Sequence, residues 1–199
     1  MSDLNERKIV DALIEYLKRD TPQVHHFKGY VLRAQGFFPT QPEIDLILYA
    51  VKDSENVPPI RAAEVKYIRS GKDGRLYPSY YAGLDEALSL LVVGFDNVEL
   101  IHVVEERSLV TVYLEHAKLL AKLVRNLELP IGYRVLAAFP SEFPIISSVV
   151  RTRAGEIDLK SFWVQAPTNP LLSAEDELGE IARNNRKILA KSLKIKLWQ

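Results

Sequence analysis

The chain has 199 residues, a length that suits one domain with an elaboration or at most two small domains. Its 26 basic and 26 acidic residues cancel, so net charge does not point to a nucleic-acid partner, although a local basic patch is compatible with a neutral chain. The absence of cysteine excludes disulfides, thiolate zinc sites, iron–sulfur clusters and cysteine nucleophiles. Apolar runs stay shorter than the roughly 18 residues of a membrane span, and the charged N-terminus is unlike a signal peptide. We therefore expect a cytoplasmic protein without a membrane partner.

The first part of the chain predicts a helix followed by three strands. The helix covers residues 4–19, because its apolar residues follow the 3.6-residue period. Residues 24–33 are rich in β-branched and aromatic side chains and predict a strand. Residues 43–51 are nearly all apolar and predict a strand covered on both faces, and residues 60–68 predict a third strand.

The next part predicts helix, strand, helix and strand. Ser79 is the expected N-cap of a helix that ends at Gly94. Residues 97–104 predict a strand, residues 111–126 an amphipathic helix and residues 133–139 a further strand. The resulting order, αβββαβαβ, predicts an α/β fold with a mixed central sheet flanked by helices.

The pattern then changes, so we take residues 1–140 as the core and residues 141–199 as an extension of the same domain. Within the extension, residues 145–153 and 156–165 predict a hairpin that turns around Gly155. The extension is thus expected to begin with strands and to end with a helix.

The last helix is predicted to open at a capping box that starts at Ser173 and to run to about Leu193. Its basic residues allow three interpretations, which are a solvated face, a contact to the DNA backbone and a dimer element. These residues are Arg183, Arg186, Lys187, Lys191, Lys194 and Lys196.

Two groups of charged residues stand in strands that are otherwise apolar. Glu43-Ile44-Asp45 begins the second predicted strand, and Glu64-Val65-Lys66 lies within the third. Side chains alternate along a strand, so Glu64 and Lys66 share a face, and a tight antiparallel pair would bring Asp45 beside them. Such charges are expensive to bury unless they are paired or bind a ligand. Their carboxylates therefore predict a site for a hard cation, Mg²⁺ or Mn²⁺.

The motifs Pro42-Glu43-Ile44-Asp45 and Glu64-Val65-Lys66, in this order of elements, resemble the PD-(D/E)XK nuclease superfamily. The likeness covers roughly residues 4–104 and looks most like archaeal Holliday-junction resolvases and RecB-type nucleases. It implies a restriction-endonuclease-like αβββαβ core that hydrolyses phosphodiester bonds, preferably in DNA. Many relatives dimerise, so a homodimer is expected. The chain departs from the family in placing Asp45 three residues after Pro42 instead of directly after it.

The resemblance also implies roles for the motif residues. Asp45 and Glu64 would bind Mg²⁺ or Mn²⁺, and the carbonyl of Val65 is expected to add another oxygen. Lys66 would hold or polarise the attacking water and offset phosphate charge. The predicted catalytic centre therefore lies where two neighbouring strands meet.

A glutamate in the first helix is expected to complete the site, and we prefer Glu6 to Glu15. Glu6 continues a stripe with Val10 and Leu13 that faces the core, whereas Glu15 lies on a polar face. The alternative for Glu6 is a capping box with Asp3, which would explain it by helix stability alone.

Aromatic and basic residues follow the second motif, a mixture that suits stacking on bases and contact with phosphates. The candidate nucleic-acid-binding residues are Tyr77, Tyr80, Tyr81, Lys72 and Arg75. Half-buried packing is the alternative for the tyrosines. Asp85 is expected near the site, while His102 and His116 are interpreted as packing or surface residues.

Two comparisons test how specific the motif is. Glu156-Ile157-Asp158-Leu159 repeats the first motif, but a Glu-x-Lys strand does not follow it, so we interpret it as a chance recurrence. A small-molecule α/β enzyme would need a glycine-rich phosphate loop, which the sequence lacks. An RNA endonuclease and a non-catalytic nucleic-acid-binding or scaffold protein with the same fold stay open as alternatives.

Overall fold

A computed structural model of the chain describes residues 5–20, 24–32, 43–50, 59–71, 73, 75–109, 111–141, 144–152 and 155–194. The helices and the longer strands follow the order that the sequence predicts through residue 139, and the two-residue strand Leu76–Tyr77 is an addition that was not predicted. They are α1 (Glu6–Asp20), β1 (Val24–Val31), β2 (Glu43–Ala50), β3 (Ile60–Ser70), β4 (Leu76–Tyr77), α2 (Leu84–Val93), β5 (Asn97–Glu105), α3 (Thr111–Asn126), β6 (Gly132–Phe139), β7 (Ile145–Ser147), β8 (Val149–Thr152), β9 (Gly155–Asp158) and α4 (Glu177–Ser192). Among the helices described, none is long and apolar enough to cross a membrane.

The main sheet is mixed, which confirms the predicted α/β class. Its strand order is β1-β2-β3-β5-β6-β7, with the short β4 pairing beside β3. The pairs β1–β2, β2–β3 and β6–β7 are antiparallel. The pairs β3–β5 and β5–β6 are parallel, because α2 and α3 carry the chain back between them. On one side of β3 the strands β1 and β2 are thus joined by antiparallel pairing, and on the other side β5 and β6 are joined by parallel pairing through helices. The two kinds of pairing meet at β3.

The two faces of the sheet are covered by different helices. Residues of α1, including Ile9 and Leu13, are fully buried in a cluster with Val65 of β3. Apolar residues of α2, α3 and α4 form the second cluster on the other face, together with Ala62 and Ile68 of β3. Burial of this apolar surface is the main stabilising contribution to the fold, and it leaves β3 in the centre of both layers.

Helix α2 begins four residues later than predicted, so the proposed cap at Ser79 is wrong. The N-cap is Gly83, which has φ +81° and lacks a side-chain cap. The Ser79 carbonyl instead accepts a hydrogen bond from Ala82 N–H at 3.0 Å, which closes a turn ahead of the helix. This start is set by packing of Gly83 against Lys66 and not by local capping. The predicted end is confirmed, because Gly94 adopts φ +91° at the C-cap.

The residues after Phe139 divide between the main sheet and a separate hairpin. Strand β7 pairs with β6 at the sheet edge. The predicted hairpin is confirmed but shorter, with β8 and β9 paired from Val149–Asp158 to Thr152–Gly155. The cap of α4 is Asp176, whose carboxylate accepts from Gly179 N–H at 2.8 Å, and not Ser173 as predicted.

Helix α4 packs directly on the C-terminal end of α2. A Cβ added to Gly94 would lie 2.3 Å from the Ala182 carbonyl oxygen, so only glycine allows this approach. Arg186 Nη1 lies 2.6 Å from Asp96 Oδ2, and Arg183 donates to the carbonyl of Ala174. These two arginines are therefore structural and not part of a solvated basic face. Lys187, Lys191 and Lys194 are exposed, and Lys196 lies outside the described residues.

Candidate active site

The candidate site lies where β2 and β3 stop pairing. Their backbone register runs from Tyr49–Ile60 to Leu46–Ala63. Asp45 and Glu64 are the next residues along the two strands. Here the Asp45 side chain takes the place of a backbone hydrogen bond between the two strands, because its Oδ2 accepts a hydrogen bond from Val65 N–H at 2.8 Å. The strand fork thus places two carboxyl groups at one point, as the two motifs predict.

The Asp45 and Glu64 carboxyl groups interact at this point, because the Asp45 carboxylate raises the pKa of Glu64. Two neighbouring carboxylates repel each other, and this repulsion favours the protonated form of one of them. Burial raises the pKa of Asp45, and burial together with the neighbouring Asp45 carboxylate raises the pKa of Glu64 to about 9. Without a bound cation, the pair therefore holds a proton at neutral pH.

Lys66 is bracketed by two glutamates. Its Nζ lies 2.6 Å from Glu64 Oε1 and 2.6 Å from Glu86 Oε2. Burial by itself lowers the pKa of Lys66, but the hydrogen bonds and the attraction from Glu64 and Glu86 together raise it above its ordinary value. The ammonium group is therefore charged across the physiological pH range.

Glu6 faces this group from the start of α1. Burial of its carboxyl raises the pKa of Glu6; Lys66 lowers it and Asp45 raises it, so Glu6 shares an electrostatic environment with both. The backbone of Tyr67 also lowers the pKa of Glu6, and both residues line one cavity. The capping hydrogen bond of α1 comes from Asn5, whose Oδ1 accepts from Lys8 N–H at 3.0 Å. Glu6 is thus turned toward the candidate site while Asn5 caps the helix.

Two cavities flank the charged cluster and meet at Asn5 and Glu6. The larger cavity has a volume of about 820 Å³, and the smaller one has a volume of about 490 Å³. The larger is lined also by Lys66, Tyr67, Arg69, Tyr77, Pro78, Ala82, Gly83, Asp85 and Glu86. The smaller is lined also by Arg7, Val10, Lys28, Gly29, Glu43 and Asp45. The cluster can therefore be reached from both sides of the fork.

Of the predicted nucleic-acid-binding residues on the loop after β3, Tyr77 lines the larger cavity. It is half-exposed, and its hydroxyl donates to Asp73 at 3.0 Å. Arg75 pairs with the same carboxylate at 3.8 Å and is exposed. Arg69 joins Tyr77 in the cavity lining. Lys72 lies outside the described residues, as does Pro42 of the first motif.

The two other tyrosines lie further along, before α2. The ring of Tyr80 stacks on His116 of α3, with centroids 4.4 Å apart. Tyr81 contacts Tyr80 edge to face and is exposed. Tyr80 therefore packs between elements, whereas Tyr81 is free to meet a ligand next to the larger cavity.

Sequence reasoning missed Glu86, although it placed the neighbouring Asp85 near the site. Both residues line the larger cavity, but only Glu86 is in contact with Lys66 at 2.6 Å. Which of these two adjacent residues points toward Lys66 depends on the rotation of α2 about its axis. This rotation is set by the late start of the helix at Leu84. The sequence carried no signal for that start.

The oxygen atoms gathered at the fork suit a hard divalent cation. Across the described residues, no group of three or more His, Asp or Glu side chains is arranged so that it could hold a metal ion. Asp45 and Glu64 nevertheless offer adjacent carboxylates, with Glu6 nearby, and carboxylate oxygens are preferred ligands of Mg²⁺ and Mn²⁺. A bound divalent cation would relieve the repulsion between the Asp45 and Glu64 carboxylates, which raises the pKa of Glu64.

Replacing Glu86 with glutamine tests whether this glutamate supports Lys66. We expect the rate of phosphodiester cleavage to fall about three- to tenfold, because Lys66 loses one of its two glutamate partners. The affinity for Mn²⁺ should change less than about threefold, since Glu86 is not among the proposed ligands. Asp85→Asn, in the same cavity wall, is the matched control and should leave the rate within about twofold. Equal rates for Glu86→Gln and Asp85→Asn would contradict the role given to Glu86.

Comparison with known proteins gives no match to a protein-family model, a curated protein or a solved structure. The function is therefore inferred from the chemistry of the site itself. Its defining features are the strand fork, the neighbouring carboxyl groups of Asp45 and Glu64, and the charged Lys66 beside them.

Proposed function

We propose that the protein is a metal-dependent nuclease that hydrolyses phosphodiester bonds, preferably in DNA, on a restriction-endonuclease-like fold of PD-(D/E)XK type. One observation carries this proposal: the Asp45 and Glu64 carboxyl groups meet at a strand fork, where Asp45 accepts from Val65 N–H at 2.8 Å and the Lys66 ammonium lies 2.6 Å from Glu64. Buried like charges of this kind are unfavourable for folding and are characteristic of sites that bind a cation or perform acid–base chemistry.

Asp45 and Glu64 would hold Mg²⁺ or Mn²⁺, with the Val65 carbonyl as a further oxygen and Glu6 completing the site. The cation, when bound, would supply Lewis acidity toward the phosphate and the attacking water. Asp45 is prepared for this role, because its hydrogen bond from Val65 N–H fixes the position of its carboxyl group beside β3.

Lys66 would donate hydrogen bonds to the attacking water and offset the charge that develops on the phosphate. Its ammonium is charged in the free protein, so it acts as a donor and an electrostatic stabiliser and not as a base. When Glu64 turns to a cation, Glu86 remains as a partner that keeps Lys66 in place.

The two cavities on either side of the cluster suit a nucleic-acid strand that passes the fork. Arg69 and Tyr77 on one side offer a phosphate contact and a ring for base stacking. Arg7 and Lys28 on the other side offer positive charge for the continuing backbone. Each cavity lining also contains three acidic side chains, so the positive charge is confined to these few residues.

The test is cleavage of a panel of labelled substrates by the purified protein. The panel contains single-stranded, duplex, flap and junction DNA and the corresponding single-stranded and duplex RNA, each with Mg²⁺, Mn²⁺ or EDTA. The double variant Asp45→Asn/Lys66→Ala controls for contaminating nucleases. We expect metal-dependent cleavage of DNA by the wild type and none by the double variant. Cleavage of RNA alone would reassign the substrate. If the folded protein binds nucleic acid but does not cleave it, the proposed nuclease function would be replaced by that of a nucleic-acid-binding module.

A further inference from the structure

A buried histidine lies beside Lys66 in the sheet. The parallel register of β3 and β5 pairs Lys66 with His102, and His102 is 0% exposed. Its neighbours on the same face of β5, Leu100 and Val104, are apolar and fully buried. An apolar side chain would fill this position without the cost of burying an imidazole, so the polar ring requires another explanation.

Both ring nitrogens of His102 have partners. Nε2 lies 3.1 Å from the Ala82 carbonyl oxygen, which can only accept, so Nε2 carries the hydrogen. Nδ1 then accepts from a tyrosine hydroxyl, and Tyr113 and Tyr133 each place theirs 3.2 Å away. Burial lowers the pKa of His102 to about 4, so the ring is neutral at physiological pH and keeps this arrangement.

The carbonyl that His102 holds belongs to a turn in contact with Lys66. The turn is closed by Ala82 N–H donating to the Ser79 carbonyl at 3.0 Å, and Gly83 follows with φ +81°. A Cβ added to Gly83 would lie 2.9 Å from Cγ and 3.0 Å from Cε of Lys66. The Gly83 backbone therefore lies against the aliphatic stem of Lys66 and limits where its ammonium can go.

We propose that His102 is a positioning residue for Lys66, acting through the Ala82 carbonyl and the Gly83 backbone. The same contact holds the start of α2, the helix that carries Glu86. One imidazole therefore positions the aliphatic stem of Lys66 and also one of its charged partners. The anchoring of the turn stands on these contacts alone, whereas its effect on catalysis rests on the proposed nuclease function. A neutral, fully satisfied network is well suited to this task, because it specifies one position without adding charge beside the site.

Two amide substitutions separate the contacts of His102. Glutamine can place its amide nitrogen near the position of Nε2 and still donate to Ala82, whereas asparagine reaches only the region of Nδ1. We therefore compare wild type, His102→Asn and His102→Gln in the full chain. Cleavage gives kcat and KM, thermal unfolding reports the folded state, and hydrogen exchange of the amides in residues 79–87 reports the turn without requiring activity.

For His102→Asn we expect kcat to fall at least about tenfold, with KM within about threefold, because displacement of a reacting group affects the chemical step. Exchange in residues 79–87 should accelerate at least about tenfold. His102→Gln should stay within about threefold of wild type in kcat and in exchange.

Equal losses in both variants, or unchanged exchange in His102→Asn, would overturn the proposal. If His102→Asn does not fold, the glutamine variant decides, since accelerated exchange in residues 79–87 of that variant would also overturn it. If the wild type cleaves no substrate, the proposed function fails separately, and exchange alone decides whether His102 anchors the turn.

Discussion

Replacing Lys66 with alanine is expected to lower the rate of Mg²⁺-dependent cleavage by about 10²- to 10³-fold, the range typical of removing one charged or hydrogen-bonding stabiliser from an active site. The Lys66 ammonium lies 2.6 Å from both Glu64 and Glu86, and no other cation of the described residues takes part in these two ion pairs. The variant therefore has no substitute for the lost charge. The fold should survive, since the Glu64 carboxyl, with a pKa of about 9, can remain protonated when its cationic partner is lost. The measurement is single-turnover cleavage with thermal unfolding in parallel.

The affinity for Mn²⁺ separates a specific effect of Lys66→Ala from general damage. Lys66 competes with a cation for Glu64, so its removal should leave Mn²⁺ affinity equal or higher by calorimetry. Lys118→Ala is the matched control, because Lys118 pairs with Glu115 at 3.5 Å on the exposed face of α3. That variant should cleave within about twofold of wild type. A Lys66→Ala protein that keeps more than a third of the wild-type rate would contradict the role of Lys66.

Asp45→Asn is expected to lower metal-dependent cleavage by at least about 10³-fold and to abolish Mn²⁺ binding in the millimolar range, because an amide is a poor substitute for a carboxylate ligand. The same substitution should stabilise the cation-free protein. Asparagine keeps an oxygen to accept from Val65 N–H, and its amide can donate to Glu64 where two carboxyl groups now compete. We expect a gain of about 1 kcal/mol in the free energy of unfolding at pH 8.

The pH dependence gives the sign of this effect. Burial raises the pKa of Asp45 and of Glu64, so the folded chain binds a proton more tightly than the unfolded chain. The favourable contribution of the protonated pair is complete below the ordinary carboxyl pKa of about 4 and is lost as the pH rises toward about 9. The stabilisation by Asp45→Asn should therefore be absent near pH 4 and grow with pH. Urea unfolding at pH 4, 6 and 8 with EDTA measures it.

The second Glu-Ile-Asp-Leu sequence supplies the control for this substitution. Asp158 occupies the same place in that tetrapeptide, but its carboxylate accepts from Lys160 N–H at 2.9 Å at an exposed turn. Asp158→Asn should leave cleavage within about twofold and the free energy of unfolding within about 0.5 kcal/mol at every pH. Loss of stability in Asp45→Asn at pH 8, with Mn²⁺ binding retained, would contradict the assignment of Asp45 as a metal ligand.

The order of elements through residue 139 could be predicted from the sequence because each signal is local. Apolar residues at helical spacing predicted α1, and the end of α2 at Gly94 follows from glycine's tolerance of positive φ. The approach of Asp45 to Glu64 was also predictable. Alternation fixes the face of each strand, and antiparallel pairing of consecutive strands leaves few registers. The close approach of these two carboxyl groups could thus be predicted from two short motifs.

The surroundings of Lys66 were decided by tertiary structure. His102 becomes its neighbour only when β5 pairs in parallel with β3, and that register depends on the packing of the crossover helix, not on either strand alone. Glu86 reaches Lys66 only because α2 starts after Gly83, where contact with Lys66 and Leu100 overrides the capping signal at Ser79. A periodic pattern identifies which residues share a face within one element. Which residue of another element meets them is determined by long-range packing, since the free energy gained there exceeds local preferences for where a helix begins.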